Sequence, residues 1–303
     1  MKIGITMGDP KGIGPEVISK ALRDPRVKSW ADYVVYGEDV AAKEWNAETC
    51  GHASISYLEK ALQDAIDGKI DAMVTAPISK AHLQKAAYPW PGHTEFLAER
   101  TGSQKVVMMM AAPQLKVSLV TIHMPLKEVP KQISEEKIID TVRITFDSLQ
   151  QYWRILNPRV AVCALNPHAG EEGLLGDEEI RVIQPALEKL RRQGYQLEGP
   201  CVPDAVFHQA YEGEFDAVVC MYHDQGLIPF KMLYFQEGVN VTLGLPIIRT
   251  SPDHGTAFDI VGKGVANPSS MIAAIELAVE MAKKRDSLRG VKPFGPRDDE
   301  EIE

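Results

Sequence analysis

Short apolar runs rich in β-branched residues alternate along the chain with longer stretches whose apolar positions recur at helical spacing. That alternation is the mark of β-α-β units and a largely parallel sheet. The pattern predicts strands at residues 2–7, 33–36, 72–76, 106–111, 116–122, 159–165, 217–221 and 239–243. Helices are predicted between them. The clearest are 15–22, where a proline suits the first turn, 134–153, 177–192, whose opening acidic residues favour a helix N-terminus, and 269–284, which runs into a basic cluster. No internal repeat or low-complexity linker separates these segments. A chain of 303 residues is long for one core, so two lobes are expected, interleaved as the chain crosses between them. The charged, proline-containing tail 293–303 is expected to fray.

Composition narrows the partners. A formal net charge of −9 argues against nucleic acid or an anionic membrane surface. The N-terminus passes directly into a strand, and no segment approaches the roughly 18 apolar residues of a membrane span. The four cysteines, Cys50, Cys163, Cys201 and Cys220, are scattered without a Cys-x-x-Cys pair. They read as reduced thiols in a cytoplasmic protein. An anionic substrate would require locally placed Lys or Arg.

Three histidines stand where strand-like runs end: His123 after 117–122, His168 after 160–165 and an Asn166-Pro167 step, and His223 after 217–222. Residues just past the carboxyl ends of strands line the ligand crevice of an open α/β sheet. Three neutral imidazoles with an open fourth position suit a catalytic divalent metal. Zinc, cobalt and nickel fit such donors, with magnesium or manganese as weaker choices. The alternative for each is a hydrogen-bonded loop histidine. His52, His82 and His208 have no supporting constellation and read as structural or exposed. The turn Gly8-Asp9-Pro10-Lys11-Gly12-Ile13-Gly14-Pro15-Glu16 lacks both the third glycine of a dinucleotide fingerprint and the Gly-Lys-Ser/Thr of a P-loop. It is either an anion cradle at a helix N-terminus or a tight packing turn.

The segment 253–268 (Asp-His-Gly-Thr-Ala-Phe-Asp-Ile-Val-Gly-Lys-Gly-Val-Ala-Asn-Pro) resembles the cofactor loop of the isocitrate and isopropylmalate dehydrogenase superfamily. The resemblance implies a two-lobed α/β/α fold with interleaved lobes, a mostly parallel sheet and an active site in the cleft between lobes. It also implies that His254, Gly255, Thr256, Ala257, Asp259 and Asn267 enfold the adenosine part of NAD or NADP. Four further motifs, Gly92-His93-Thr94-Glu95-Phe96, the 165–171 run Leu-Asn-Pro-His-Ala-Gly-Glu, the 221–226 run Met-Tyr-His-Asp-Gln-Gly and the 238–251 run from Gly238 through Asn240 and Arg249 to Ser251, together resemble the 4-hydroxythreonine-4-phosphate dehydrogenase family.

That resemblance implies a metal on His123, His168 and His223, shared between the subunits of a homodimer. It carries substrate contacts to His93, Thr94, Lys231, Asn240 and Arg249, and a catalytic aspartate to Asp204, with His93 as a second proton relay. The reaction implied is metal-dependent, NAD(P)-linked oxidation of a small phosphorylated alcohol, 4-phosphohydroxy-L-threonine, followed by decarboxylation to 3-amino-2-oxopropyl phosphate. Plainer readings stand beside these: Thr94 and Asp204 as helix caps, Asn240 as a turn residue behind Gly238, Lys231 and Arg249 in surface ion pairs. Two departures, a shorter stretch between Tyr36 and Asp71 and the absence of histidine from 172–176, resemble the branch that oxidises D-threonate or D-erythronate 4-phosphate. From another class, a metal-free phosphate acyltransferase shares the two-lobed architecture.

Overall fold

A computed structural model describes residues 1–42 and 44–286; the predicted fraying of 293–303 lies outside the described residues. The strands are β1 Lys2–Thr6, β2 Asp32–Tyr36, β3 Ala72–Thr75, β4 Val107–Ala111, β5 Lys116–Leu119, β6 Val160–Cys163, β7 Leu197–Cys201, β8 Ala217–Cys220, β9 Val239–Leu243 and β10 Arg249–Pro252. The helices are α1 Gly14–Arg23, α2 Pro25–Trp30, α3 Ala47–Ile66, α4 Lys80–Lys85, α5 His93–Thr101, α6 Val129–Gln132, α7 Glu135–Ser148, α8 Gln184–Arg192, α9 Pro203–Tyr211, α10 His223–Tyr234 and α11 Ser269–Asp286. Two strands escape the sequence pattern. In β7, Gly199 and Pro200 break the apolar run; β10 is the polar-looking Arg-Thr-Ser-Pro, although all four residues are buried.

The chain forms two units. Unit 1 comprises Met1–Val106 and Phe235–Lys283, and unit 2 comprises Val107–Tyr234 with the described residues from Lys284. In unit 1 the strand order is β2-β1-β3-β10-β9, parallel except for the β10/β9 pair. Its core packs Tyr57, Leu58 and Leu62 of α3 with Met73 of β3 and Phe96 and Leu97 of α5. In unit 2 the order is β4-β5-β8-β6-β7, parallel except for β4/β5.

The strands of unit 2 show why a parallel sheet reads as continuous apolar sequence. Val160 and Val162 of β6 and Ala217 and Val219 of β8 face a cluster with Ile138 and Val142 of α7 and Leu187 and Leu190 of α8. The alternate residues, Ala161, Cys163, Val218 and Cys220, face Val206 and Ala210 of α9 and Leu227 and Phe230 of α10. Both faces are covered, so both residue parities must be apolar. The mixed α/β fold and mostly parallel sheet agree with the sequence. No helix among the described residues is long and apolar enough to cross a membrane.

Candidate active site

In unit 2 the carboxyl ends of β5, β6 and β8 carry the three histidines. Beyond β5 the pairing with the end of β8 continues through Val120 N–H to Cys220 O (2.9 Å) and Thr121 N–H to Met221 O (3.2 Å). This brings the His123 and His223 rings to 5.3 Å between centroids. Buried Gln225 ties the ends of β6 and β8, donating to Ala164 O (2.7 Å) and accepting from Met221 N–H (2.7 Å). His168 differs: its side chain is 63% exposed. The three histidines do not bring a trio of ring nitrogens within 4.8 Å of one another in the single chain. Two of them do have the setting of a metal ligand. The Nδ1 of His168 is 2.8 Å from Glu171 Oε1, and that of His223 is 2.7 Å from Asp224 Oδ1. A carboxylate on Nδ1 leaves Nε2 as the donor, the usual outer-shell arrangement of ligating histidines. Glu171, and to a smaller degree Asp204, raises the His168 pKa.

The segment that carries His168 is unusual. His168, Ala169, Gly170, Glu171 and Glu172 all have positive φ, from +42° to +81°, and four of the five are not glycine. A left-handed conformation costs a non-glycine residue roughly 1–2 kcal/mol, so the surroundings must impose it. They do so through Glu179, 1% exposed, whose Oε1 accepts from the backbone N–H groups of Leu165 and Asn166 (2.8 Å each). The Asn166 amide donates to Glu178 and to the second Glu179 oxygen. Gly170 backs onto this carboxylate so closely that a Cβ there would lie 2.7 Å from Oε2. Asp204 is exposed in the first turn of α9. The cap position is Val202 and makes no side-chain cap, so the helix-cap reading of Asp204 fails. Lys231 is half-buried in the last turn of α10.

Unit 1 contains a different kind of site. Arg249 of β10 is 3% exposed and donates to Thr75 Oγ1 (2.8 and 3.1 Å) and Thr242 Oγ1 (2.9 Å). Burial pushes its pKa down to about 10, with Glu95 acting in the opposite sense. The surface ion pair expected as its plainer reading is therefore wrong. Its hydrogen-bond partners are two neutral hydroxyls, and Glu95 only partly offsets the cost of burying the charge. His93, the first residue of α5, has its pKa held well below the ordinary value by burial and then by the Arg249 charge, while a hydrogen bond to the Ala76 backbone opposes the shift. Its Nε2 is buried without a partner. Thr94 follows in the first turn, but the cap position is Gly92 and no side chain caps the helix, which removes the cap alternative. Asn240 is inside β9, paired with Ser251, and holds no turn.

The loop from Asp253 to Pro268 is fastened to α1. Ile13 N–H donates to Thr256 O (3.0 Å), Ala266 N–H to Glu16 Oε1 (3.0 Å), and the Lys20 ammonium to the carbonyls of Gly264 and Ala266 (2.8 Å each). Sequence reasoning named Glu16 only as the end of the glycine-rich turn and did not find Lys20; their i,i+4 spacing gave no sign of the distant loop. His254 Nε2 is buried without a partner, Gly255 and Asp259 are exposed, Ala257 has φ +43°, and the side-chain Oδ1 of Asn267 accepts from the N–H and hydroxyl of Ser269 at the start of α11. The glycine-rich turn does not present a free anion cradle. Asp9, buried, already accepts from Lys11 N–H (2.9 Å) and Ile13 N–H is used by the loop.

His82 also departs from its expected isolation. Its Nδ1 is 2.6 Å from Asp9 Oδ2, and Asp9, Cys50 and His82 together offer three ligand atoms within 4.8 Å. Burial first, and then the Asp9 charge, pushes the Cys50 thiol up to about 11. The short His82–Asp9 contact and the backbone donation from Lys11 give the buried Asp9 carboxylate two partners without an ion.

Residues 21–278 match the family model described as pyridoxal phosphate biosynthetic protein PdxA. The chain is 45% identical to 4-hydroxythreonine-4-phosphate dehydrogenase of Geobacter metallireducens, covering 94% of this chain and 97% of that one. It is 40% identical to the putative D-threonate 4-phosphate dehydrogenase of Oceanobacillus iheyensis, covering 92% and 97%. Among solved structures, it resembles 4-hydroxythreonine-4-phosphate dehydrogenase from Klebsiella pneumoniae with a TM-score of 0.84 and 38% identity over 93% of this chain and 98% of that chain. Isocitrate dehydrogenase from Methylococcus capsulatus, at 15% identity over 95% of this chain and 87% of that chain and a TM-score of 0.51, shares the fold alone.

Proposed function

The chain belongs to the PdxA family of 4-hydroxythreonine-4-phosphate dehydrogenases, oxidoreductases acting on a CH–OH group, and from that premise we propose that it oxidises 4-phosphohydroxy-L-threonine to a product that decarboxylates to 3-amino-2-oxopropyl phosphate. The family sets aside the acyltransferase alternative. The observation that carries the substrate reading is the buried Arg249, whose hydrogen-bond partners are neutral hydroxyls, beside a histidine with an orphaned Nε2. A planar guanidinium with unused N–H donors is suited to a phosphate or carboxylate.

The residues divide the work. Arg249 receives the anionic end of the substrate, with Thr94, Lys231 and Asn240 as further contacts. His93 is held toward its neutral form by burial and by the Arg249 charge, and its orphaned Nε2 is the atom that accepts a substrate hydroxyl or takes its proton. Asp204 is the second candidate to hold that proton. The donor set on unit 2 fits a divalent ion such as zinc on His123, His168 and His223, because two of these imidazoles have Nδ1 engaged and Nε2 free. The loop carrying His254, Gly255, Thr256, Ala257, Asp259 and Asn267 is assigned to NAD or NADP. When bound, the nicotinamide supplies the hydride acceptor and the metal a Lewis acid that makes the alcohol easier to deprotonate.

We also infer a homodimer that shares the histidine set. It is supported by the outward placement of His168 and by the exposed apolar side chains Ile228, Met232 (83%) and Phe235 in and just after α10. The free cysteines support a reducing, cytoplasmic setting. A second reading, oxidation of D-threonate or D-erythronate 4-phosphate, is favoured by the missing histidine in 172–176. Dinucleotide reduction measured with zinc, cobalt, magnesium or manganese and each of the three phosphorylated substrates separates them. Turnover confined to the four-carbon acid phosphates would overturn the first reading, and turnover of none would overturn both.

A further inference from the structure

We propose that Glu171 is the positioning residue of His168, and that the left-handed turn His168–Glu172 serves to set the two side chains on one edge with the imidazole in its Nδ1–H form. The proposal rests on the metal reading given above. Side chains three residues apart eclipse one another in a turn of three residues. The run of positive φ from His168 to Glu172 makes such a turn in the left-handed sense, and His168 Nδ1 meets Glu171 Oε1 at 2.8 Å. An extended segment would send these side chains in different directions and leave the imidazole free to rotate.

The turn is held independently of any ligand. Leu174 N–H donates to Glu171 O (3.1 Å) and Leu175 N–H to Gly170 O (3.0 Å), closing the left-handed stretch onto the next residues. Buried Glu179 fixes the entry through Leu165 and Asn166. Only Gly170 fits against that carboxylate. The one glycine of the turn therefore stands at its back, against the carboxylate. Backbone strain of this kind persists only where the surroundings over-determine it, and it concentrates at functional sites. His223 reaches the same electronic arrangement by another route, with the adjacent Asp224 on its Nδ1 at 2.7 Å. Two of the three candidate ligands therefore present Nε2 by the same device.

The test uses the full-length protein, its Glu171→Ala and Glu171→Gln variants, and Glu172→Ala as a control in the same turn. Long-range ¹H–¹⁵N spectra of the metal-free, neutral histidines report the tautomer of His168, and competition with a chromophoric chelator reports zinc affinity. The wild type and Glu171→Gln, whose amide oxygen still accepts, are expected in the Nδ1–H form. Glu171→Ala is expected to revert to Nε2–H and to bind zinc about 10–100-fold more weakly, with Glu172→Ala unchanged. A wild-type His168 in the Nε2–H form, or zinc affinity in Glu171→Ala equal to that of a zinc-binding wild type, overturns the proposal alone. A wild type that takes up no zinc overturns the metal reading beneath it.

Discussion

Arg249 and the Nε2 of the half-buried His93 in unit 1 are withdrawn from water, whereas His168 and Asp204 in unit 2 stand in it. The two histidines consequently shift in opposite directions. Burial, then the Arg249 charge, drives His93 toward its neutral form; the Glu171 carboxylate drives His168 toward its charged form. The buried site is built by the core: threonines from neighbouring strands hold the guanidinium, and removal of water leaves a cation ready for an anion. The exposed site is built by local devices, a left-handed turn and carboxylates one or three residues away. A buried group needs little local help because packing fixes it, and an exposed group needs a partner on its own loop.

The largest effect is expected at Arg249. Arg249→Met should lower kcat/KM by about 1,000-fold, or about 4 kcal/mol, chiefly through KM. Because the same change removes a buried charge whose hydrogen-bond partners are neutral, the thermal midpoint should stay level or rise by about 2–4 °C. Steady-state kinetics beside a thermal melt checks both halves. A large fall in the melting temperature would mean that Arg249 is structural, and the contrast between the units would be lost.

Gly170→Ala attacks the other side of the comparison. Its Cβ would meet Glu179 Oε2 at 2.7 Å and Gly176 O at 2.8 Å in a backbone with φ +81°. The expected loss is about 2–3 kcal/mol in urea denaturation, with zinc uptake reduced in parallel. Full stability with normal zinc uptake would show that the left-handed turn is not imposed by its surroundings.

A smaller effect is expected at His82. Its removal by His82→Ala leaves Asp9 buried with one donor fewer, a loss of about 1–3 kcal/mol. Zinc content should not change, since Asp9 is already partnered by His82 and the Lys11 N–H without an ion. Loss of one equivalent of zinc from the purified protein would instead make this cluster a metal site and place metal chemistry in both units.

How much of this was legible follows from the same contrast. The strand-end histidines stood out because β5, β6 and β8 are covered on both faces and so end in plain view, where apolar sequence stops. The fold class followed from the same runs. Arg249 was found only by family resemblance, and its burial was hidden because β10 reads Arg-Thr-Ser-Pro. The twenty-residue α3 was not picked out by periodicity. Its buried face includes Gly51 and Ser54, where Gly51 lets α4 approach: a Cβ there would meet Ala86 Cβ at 2.6 Å. The left-handed turn has one glycine in five residues, and its pins, Glu178 and Glu179, lie beyond any local rule. Expected turn and cap roles for Asn240, Thr94 and Asp204 failed because each reading weighed neighbours in sequence, and the strand or helix start was set one or two residues away.

The smallest expected effect is the pH dependence of stability, and it distinguishes the two histidines by sign. His93 has a depressed pKa in the fold. Below its ordinary value of about 6.5 the unfolded chain takes up a proton that the folded chain refuses, so stability falls as the medium becomes more acidic, by at most about 1.4 kcal/mol per pH unit for this one group. His168 has a raised pKa. Its contribution is complete below about pH 6.5 and disappears as pH rises through the folded value. Urea denaturation of metal-free protein at pH 5.5, 6.5 and 7.5 should therefore show a flatter fall from pH 6.5 to 5.5 in His93→Asn and a steeper fall from pH 7.5 to 6.5 in Glu171→Ala. If both variants changed the fall in stability on acidification in the same direction, the opposed settings of the two histidines would be wrong, because burial and a neighbouring carboxylate cannot shift an imidazole the same way.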